Sequence, residues 1–477
     1  MQACGRPTAF FSSILRMRLV DRSGVATERL PRRVIRQSGR QKALSSTFQE
    51  TTELLGVEVT RERLRFWGIR SGLSVLDQGL TSGAGFLLNL FLARWLTSEA
   101  YGTFAVAFAT LLFLSGYHNV LLLEPMTVLG PARYSAEMTR FFLAQLKVNT
   151  IVVVLLAGLM LLAAGGMAAF GVQHALITAT AISALALPFL LLFWLVRRMC
   201  YVVQRPAIAA WASTGYFILV VVGLFALHTK GWLDSTGAFL LVAASSVLAA
   251  LLPLRQLGLL GASGTAACPW KKVAAENWNY GRWLVASTTL YSISSQAQLY
   301  LAAAMLGLAA AGILRAMQIP ALVMTQIVSA TSLLMLPTMS HEFGRGRTDK
   351  LRKKAVLCTF VATAMALAYA LVLGMFAKHI ERILFGGKFT AYAWLIPVLA
   401  LVPVCTGFWL GFSLALRASQ KPHFELLANA IAAPIGLITA LVFIKMWGIG
   451  GATFSLVAGS AAIGVVLFWS FQRTRNE

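Results

Sequence analysis

One acidic side chain of this sequence stands alone inside a long apolar segment. Asp77 is the only Asp or Glu between residues 71 and 96, and that segment is long enough to cross a bilayer as a helix. An ionised carboxylate in hydrocarbon costs several kcal/mol, so it must face water, a bundle interior or a cation. Two interpretations stay open: Asp77 binds a coupling ion, or it pairs structurally with Arg70 or a neighbouring helix.

A second candidate is Arg315, which begins an apolar segment within residues 312–320 (GILRAMQIP). The connectors between the apolar segments alternate in charge, and most basic residues lie in one alternate set. Arg315 adjoins the set that is poor in Lys and Arg. The planar guanidinium matches phosphate oxygens in a fork geometry, which predicts a contact with a diphosphate headgroup. Snorkelling of the side chain to lipid headgroups is the alternative. Arg94 and Arg282 are further candidates for the same substrate-binding role.

The apolar segment at residues 283–306 carries many hydroxyl and amide side chains, which are suitable surfaces for sugars. Its candidate substrate-binding residues are Tyr291, Gln296, Gln298 and Tyr300. The segment at 71–96 adds Gln78 and Asn89. Ser and Thr also bond to their own helix or join helices, so a packing role stays open. Two polar segments at matching places in two halves predict a central, hydrated pathway.

The elements that must position these residues are membrane helices. The chain is 58% hydrophobic and 12% charged with a mean hydropathy of +0.73, which excludes an ordinary soluble enzyme. We predict an all-α polytopic membrane protein with about 12 transmembrane helices in two six-helix bundles around a central cavity. The predicted spans are 71–96, 103–123, 143–170, 175–196, 207–228, 236–258, 283–306, 316–338, 355–377, 391–416, 424–446 and 449–471.

The net charge of +24 would indicate nucleic acid in a soluble protein, but its distribution here indicates topology. Alternate connectors and the termini hold 33 Lys and Arg residues, whereas the other connectors hold seven. Such a bias marks the cytoplasmic side of inserted helices. We therefore expect both termini in the cytoplasm and no nucleic-acid partner.

The chain divides into two similar halves. Leu96 followed by Ala100-Tyr101-Gly102 recurs 210 positions later as Leu306 followed by Ala310-Ala311-Gly312. We predict a basic, disordered cytoplasmic tail at 1–66, a six-helix bundle at 67–261, a cytoplasmic linker at 262–280, a second six-helix bundle at 281–472 and a short tail at 473–477. The two-bundle plan is frequent among transporters.

The five cysteines are scattered without zinc-type spacing, and the six histidines show no paired spacing. We therefore expect no metal site, no catalytic residue and no cofactor. A phosphate-binding Gly-Lys-Ser/Thr loop is absent from the sequence, which disfavours direct use of ATP.

The sequence resembles the MOP flippase superfamily, and within it the polysaccharide transporter branch. The resemblance covers about residues 66–471 and rests on 85–108 (GFLLNLFLARWLTSEAYGTFAVAF), on Arg315 and Pro320 followed by LPTMS at 336–340, and on 384–422. It implies two bundles around a cavity that opens alternately to each side, and a polyprenyl-diphosphate oligosaccharide as cargo. Arg315 matches a cavity arginine of the lipid II flippases. Their first-helix Arg-Asp pair corresponds here to Leu88-Asn89, which favours a glycan other than lipid II.

The leading hypothesis is a flippase that moves a lipid-linked oligosaccharide across a bacterial inner membrane for O-antigen or exopolysaccharide synthesis. Its expected partners are the lipid-linked substrate, membrane lipids and polysaccharide polymerase or export machinery. A MATE-type cation-coupled drug exporter is the alternative, although the sparse intramembrane acids argue against it. A membrane glycosyltransferase or glycan polymerase would need paired carboxylates and a substantial loop, neither of which the sequence offers.

Overall fold

The computed structural model describes residues 61–261, 269–419, 421 and 423–474. Residues 1–60 of the predicted tail lie outside the described residues. Fifteen α-helices and no strand form the described part, so the predicted all-α fold is confirmed. By length and apolar composition, ten stretches of it can cross a membrane, and the protein is a multi-pass membrane protein.

Seven α-helices make up the first half, which runs to residue 261. They are α1 (Arg61–Trp95), α2 (Ser98–His118), α3 (Glu124–Arg133), α4 (Met138–Ala169), α5 (His174–Val202), α6 (Pro206–Thr229) and α7 (Ser235–Gln256). A π-helical turn, Asn119–Leu123, joins α2 to α3, so that both belong to one membrane span.

The second half repeats this order with one added helix. It contains α8 (Trp270–Leu306), α9 (Leu308–Gly344), α10 (Thr348–Met375), α11 (Ala377–Phe385), α12 (Leu395–Leu399), α13 (Leu401–Ala418), α14 (His423–Trp447) and α15 (Ile449–Arg473). The short α12 and α13 share one span. We call the end of the helices near the Lys- and Arg-rich connectors the basic end, and the other the opposite end.

The first helix of each half, α1 and α8, is long but is not among the ten apolar spans. α1 has 35 residues and α8 has 37, enough to cross a bilayer, but their polar side chains lower the mean hydropathy. With them, twelve spans are counted in the described residues, which agrees with the predicted number. The most polar spans thus stand at equivalent positions of the two halves.

Local sequence explains where several helices begin. The Thr97 hydroxyl accepts from the Ala100 amide at 3.2 Å and caps α2, and the Asp234 carboxylate accepts from the Gly237 amide at 2.6 Å and caps α7. Gly307 separates α8 from α9 in the left-handed region at φ +93°, which favours glycine. These turns fix the hairpins at the opposite end.

Two features differ from the sequence-based expectation: the start of α8 and the presence of α11. Residues 270–280 were expected to be linker but form the first turns of α8, because charged and amide side chains there hide a helix from hydropathy. The amphipathic helix α11 was not expected, since nine residues are too short for a span. The predicted domain bounds otherwise stay predictions.

Each half has dense internal packing. In the first half α5 packs against α2, α4 and α7, and in the second half α13 packs against α9, α10 and α15. Helix packing joins the halves in two places: α2 packs along α9, and α8 packs against both α14 and α15 of its own half and against α2, α3 and α4. The helix α8 therefore bridges the halves.

The α2–α9 contact is made by the two glycines of the sequence repeat. A Cβ atom added to Gly102 would lie 1.8 Å from the Leu308 carbonyl oxygen, and one added to Gly312 would lie 2.1 Å from the Ser98 carbonyl oxygen. Only glycine lets the two backbones approach this closely, as small residues do at membrane helix interfaces. The repeat motif thus marks the place where the halves touch at the opposite end.

We predict that Gly102→Ala or Gly312→Ala destabilises the protein by about 1–3 kcal/mol, because the added methyl group forces α2 and α9 apart. Gly158→Ala on α4 is the matched control, since its Cβ would meet nothing within 4 Å. Thermal unfolding of the purified protein in detergent measures the effect. Equal melting temperatures for all three variants would contradict the backbone contact.

Candidate functional site

Asp77 is fully buried and is held by side chains of α5 and α6. Arg197 donates from Nε to its Oδ2 at 2.9 Å, and the Tyr201 hydroxyl donates to the same oxygen at 2.5 Å. The Ser213 hydroxyl donates to Oδ1 at 2.5 Å. Both carboxylate oxygens are therefore satisfied inside the first half.

Arg197 also binds a second candidate residue, because its Nη2 donates to Oε1 of Gln78 at 2.9 Å. The guanidinium side chain is 14% exposed, so the pair Asp77–Arg197 is shielded from solvent. Of the interpretations open from the sequence, pairing with a neighbouring helix describes this geometry. A role for Asp77 in ion coupling, and for Gln78 in substrate binding, stays a prediction.

Asn89 is hydrogen-bonded to a tyrosine that the sequence analysis did not select. The Tyr101 hydroxyl on α2 donates to Oδ1 of Asn89 at 3.3 Å, and Tyr101 precedes Gly102, which meets α9 at Leu308 and Gly312. Arg315 is half-buried, and its Nη1 donates to Oε1 of Gln318 at 3.3 Å. Tyr101 belongs to the Ala-Tyr-Gly repeat, which was the signal available in the sequence.

The polar candidates of α8 separate into two environments. Gln298 is 1% exposed and lies against Gly436 of α14, and within the described residues its Oε1 accepts no hydrogen bond. The Tyr300 hydroxyl donates to Oγ1 of Thr110 on α2 at 3.2 Å, which joins the halves. Tyr291 is 59% exposed and Gln296 is half-buried. These residues line no single surface, and their substrate-binding role stays a prediction.

Arg94 takes part in a contact between the halves at the opposite end. Its Nη1 donates to the Ile383 carbonyl of α11 at 3.0 Å. In return, Nζ of Lys388 donates to the carbonyls of Ala93 and Leu96 at the end of α1, at 3.0 Å for Ala93. Cations at helix C-termini complement the backbone dipole. We call these four bonding partners and Lys388 the opposite-end latch.

Partial desolvation lowers the pKa of Lys388 below its ordinary value. The neighbouring loop is shaped by Glu381, a fully buried carboxylate that accepts from the Phe389 amide at 2.7 Å and from the Thr390 hydroxyl at 2.9 Å. This carboxylate therefore orders the turn that carries Lys388. Neither role could be predicted from sequence, because both depend on α11.

At the basic end, the first turns of α8 are fastened to the first half. The Glu276 carboxylate pairs with Arg133 at 3.3 Å and accepts from the Tyr134 hydroxyl at 2.9 Å. The buried amides of Gln145 and Asn277 exchange two hydrogen bonds, of 3.0 and 3.3 Å. The start of α8 is therefore attached to the first half.

Arg282 lies on the exposed side of α8 close to these contacts, far from Arg315 along the chain. Its neighbour Gly281 packs tightly against the first half, since an added Cβ would lie 2.5 Å from the Val120 carbonyl oxygen. That approach occurs at the π-helical turn, where the local widening of the helix offers a carbonyl to the passing backbone. The substrate-binding role of Arg282 stays a prediction.

No protein-family model matches the chain, and no curated protein matches it. Solved structures match most of its length. An inward-facing multidrug resistance MATE transporter of the MOP superfamily is 14% identical, covering 84% of this chain and 98% of that one, with a TM-score of 0.70. An outward-facing MATE transporter is 15% identical, covering 86% of this chain and 95% of that one, with a TM-score of 0.60.

The lipid II flippase MurJ in an inward closed conformation is also similar. It is 13% identical, covering 84% of this chain and 87% of its own, with a TM-score of 0.65. At these identities the likeness shows the fold, which is the MATE- and MurJ-like arrangement expected from the sequence. The structural neighbours belong to the MOP superfamily, and the polysaccharide transporter branch stays a prediction.

We predict that Asp77→Ala destabilises the protein by about 3–5 kcal/mol, because it leaves the Arg197 charge buried without its partner. The double variant Asp77→Leu with Arg197→Met removes both charges and should recover most of that loss. Unfolding in detergent is the measurement. A double variant less stable than Asp77→Ala would contradict a simple ion pair.

We predict that Lys388→Met opens the opposite end, because hydrogen bonds to charged groups contribute about 1.5–3 kcal/mol. Spin labels at Glu99 and Lys378, in a cysteine-free background, should show a longer and broader distance distribution by pulsed electron resonance. Lys230→Met is the control, since Lys230 follows α6 at the same end without joining the halves. An unchanged distribution for Lys388→Met would exclude a holding role.

Proposed function

We propose that this protein is a membrane transporter of the MOP type that flips a polyprenyl-diphosphate-linked oligosaccharide. The observation that carries the proposal is the half-buried Arg315, three residues after Gly312, where α9 meets α2 beside Gly102 and its neighbour Tyr101. A guanidinium beside hydroxyl and amide groups at the junction of two bundles suits an anionic, sugar-bearing headgroup. The MATE- and MurJ-like fold supports a transporter rather than an enzyme.

The physical task of such a transporter is desolvation. Sugars and a diphosphate cannot enter hydrocarbon without losing hydrogen bonds and ionic solvation. In the proposed mechanism Arg315 binds the diphosphate, amide and hydroxyl groups of α1, α2 and α8 replace water around the sugars, and the lipid tail stays in the bilayer. The halves then exchange which end is open, so that no continuous pore forms.

The contacts between the halves support an inward-facing resting state. The opposite end is held by the glycine contact and by the opposite-end latch. The fold also superposes better on the inward-facing MATE transporter, at a TM-score of 0.70, than on the outward-facing one, at 0.60. In this proposal the basic end, expected to face the cytoplasm, receives the cargo.

The distribution of charge favours an anionic cargo over an organic cation. Within the described residues the carboxylates of Asp77 and Glu425 are paired with Arg197 and Arg417. A cation exporter needs an anionic group that its drug can reach. The MATE-type drug exporter nevertheless stays the second candidate, because the fold is common to both.

We predict that Arg315→Ala or Arg315→Glu lowers export of surface polysaccharide about 10- to 100-fold, given about 1.5–3 kcal/mol for hydrogen bonds to a charged group. Arg315→Lys keeps the charge but lacks the planar fork of the guanidinium, so its export should lie between those of the wild type and Arg315→Ala. Export is measured in a deletion strain, together with accumulation of lipid-linked precursors on the inner leaflet. Immunoblots of membranes establish that each variant is inserted.

Arg140→Ala is the matched control, since this arginine forms only an exposed 3.5 Å pair with Glu137. Wild-type export by the Arg315 variants would remove Arg315 from the site. Drug resistance in a pump-deficient strain, without any glycan defect, would favour the MATE alternative. Transfer of labelled sugar by the purified protein would revive the glycosyltransferase or polymerase alternative.

A further inference from the structure

A large crevice opens at the basic end of the second half, between the start of α10 and the end of α15. Its volume is about 1240 Å³, and α13 forms its floor through Ala415 and Leu416. The crevice is remote from the proposed substrate site: it reaches Phe343 on α9, 28 residues beyond Arg315, or about 42 Å along the helix. It therefore needs an explanation of its own.

The rim of the crevice is basic and polar. Its lining side chains of this kind are Thr348, Asp349, Arg352, Lys353, Ser419, Lys421, Gln472 and Thr474. Three cations thus face a single carboxylate. The Arg352 guanidinium is held 5.2 Å above the ring of Phe471, which keeps it at the rim. Glu342, next to Phe343 in the chain, is bound by Lys354 at 2.7 Å, which lies outside the lining.

The wall below the rim is apolar and uncovered. Val356, Leu357 and Phe360 of α10 line the crevice, and they are 54%, 61% and 69% exposed. Val356 and Phe360 follow Arg352 by four and eight residues, so they continue the same face for about 12 Å into the span. A charged rim above an open hydrocarbon wall reproduces the polarity profile of one bilayer leaflet.

From this geometry we propose that the crevice is a binding site for an anionic phospholipid of the leaflet at the basic end. The lipid phosphate contacts Arg352 and Lys353, and its acyl chains lie along Val356, Leu357 and Phe360. Basic recesses between membrane helices are suited to anionic headgroups. The volume exceeds the roughly 300–1,000 Å³ of common small-molecule sites, which leaves room for a headgroup and the first part of its chains.

The bound lipid would join three helices at one end. Phe343 lies at the end of α9, Arg352 in the first turns of α10, and Phe471 near the end of α15. The helix α9 carries Arg315 at its other end, so a lipid that braces α9 stabilises the second half around the substrate site. The proposal does not depend on the identity of the cargo, because it needs only the membrane and the crevice.

The test uses the full chain, purified in a neutral detergent and titrated with phosphatidylglycerol or phosphatidylcholine. Native mass spectrometry counts bound lipid, and thermal unfolding reports stabilisation. For the double variant Arg352→Gln with Lys353→Gln, we expect about thirtyfold weaker binding of phosphatidylglycerol. The control is Arg345→Gln with Lys350→Gln, which removes two exposed charges of the same connector outside the crevice and should bind within about twofold of wild type.

Each other result overturns the proposal. Equal losses in the two double variants would mean diffuse attraction to the basic surface. Equal binding of phosphatidylcholine would mean an apolar groove without headgroup selection. Saturation by inorganic phosphate alone, with the same affinity, would mean a simple anion site. Arg352→Lys should retain most of the binding, which separates loss of charge from loss of folding.

Discussion

The close approach of Gly102 and Gly312 is the contact on which the rest of the arrangement depends. Tyr101 immediately precedes one glycine, and Arg315 follows the other by three residues, which is nearly one helical turn. Where the two backbones touch, the tyrosine and the arginine therefore lie on neighbouring turns of α2 and α9, and the tyrosine bonds to Asn89 of α1. A bulkier residue at either glycine would move the proposed headgroup site as well as the interface. One packing constraint thus fixes both the joint between the halves and its chemistry.

Polarity is divided between the halves in a way that suits movement. In the first half the charge of Asp77 is neutralised within three packed helices, so this region can move as a rigid unit. In the second half α8 is polar along its length and shares its contacts: its start is bound to the first half through Glu276 and Asn277, and its later turns pack against α14 and α15. Because Tyr300 near its end also bonds to Thr110 of α2, α8 is held by both halves along its length. In the proposed mechanism it must therefore bend or shift when the halves move.

The sequence was sufficient for the fold because the apolar segments and the charge bias are local signals. The motif that recurs 210 positions later indicated two halves but not that its two glycines are in contact. It was insufficient wherever a function depends on a partner distant in the chain. Arg197 falls at the edge of a predicted span, and nothing in its spacing identifies Asp77 as its partner 120 positions earlier. Likewise α11 is too short and too polar for hydropathy to detect, so Lys388 and its bonds to the end of α1 could not be anticipated. The polar start of α8 was misread as linker for the same reason.

The charged groups at the two ends differ in how strongly they are held. At the opposite end the cations of the latch are satisfied by backbone carbonyls, in bonds of about 1.5–3 kcal/mol that water can replace. Towards the basic end, a full ion pair within the first half holds Asp77 and would be more expensive to break. Opening should therefore begin at the latch and spare the buried pair. In the proposed transport cycle, such an arrangement would change access to the centre without exposing an unpaired charge to hydrocarbon.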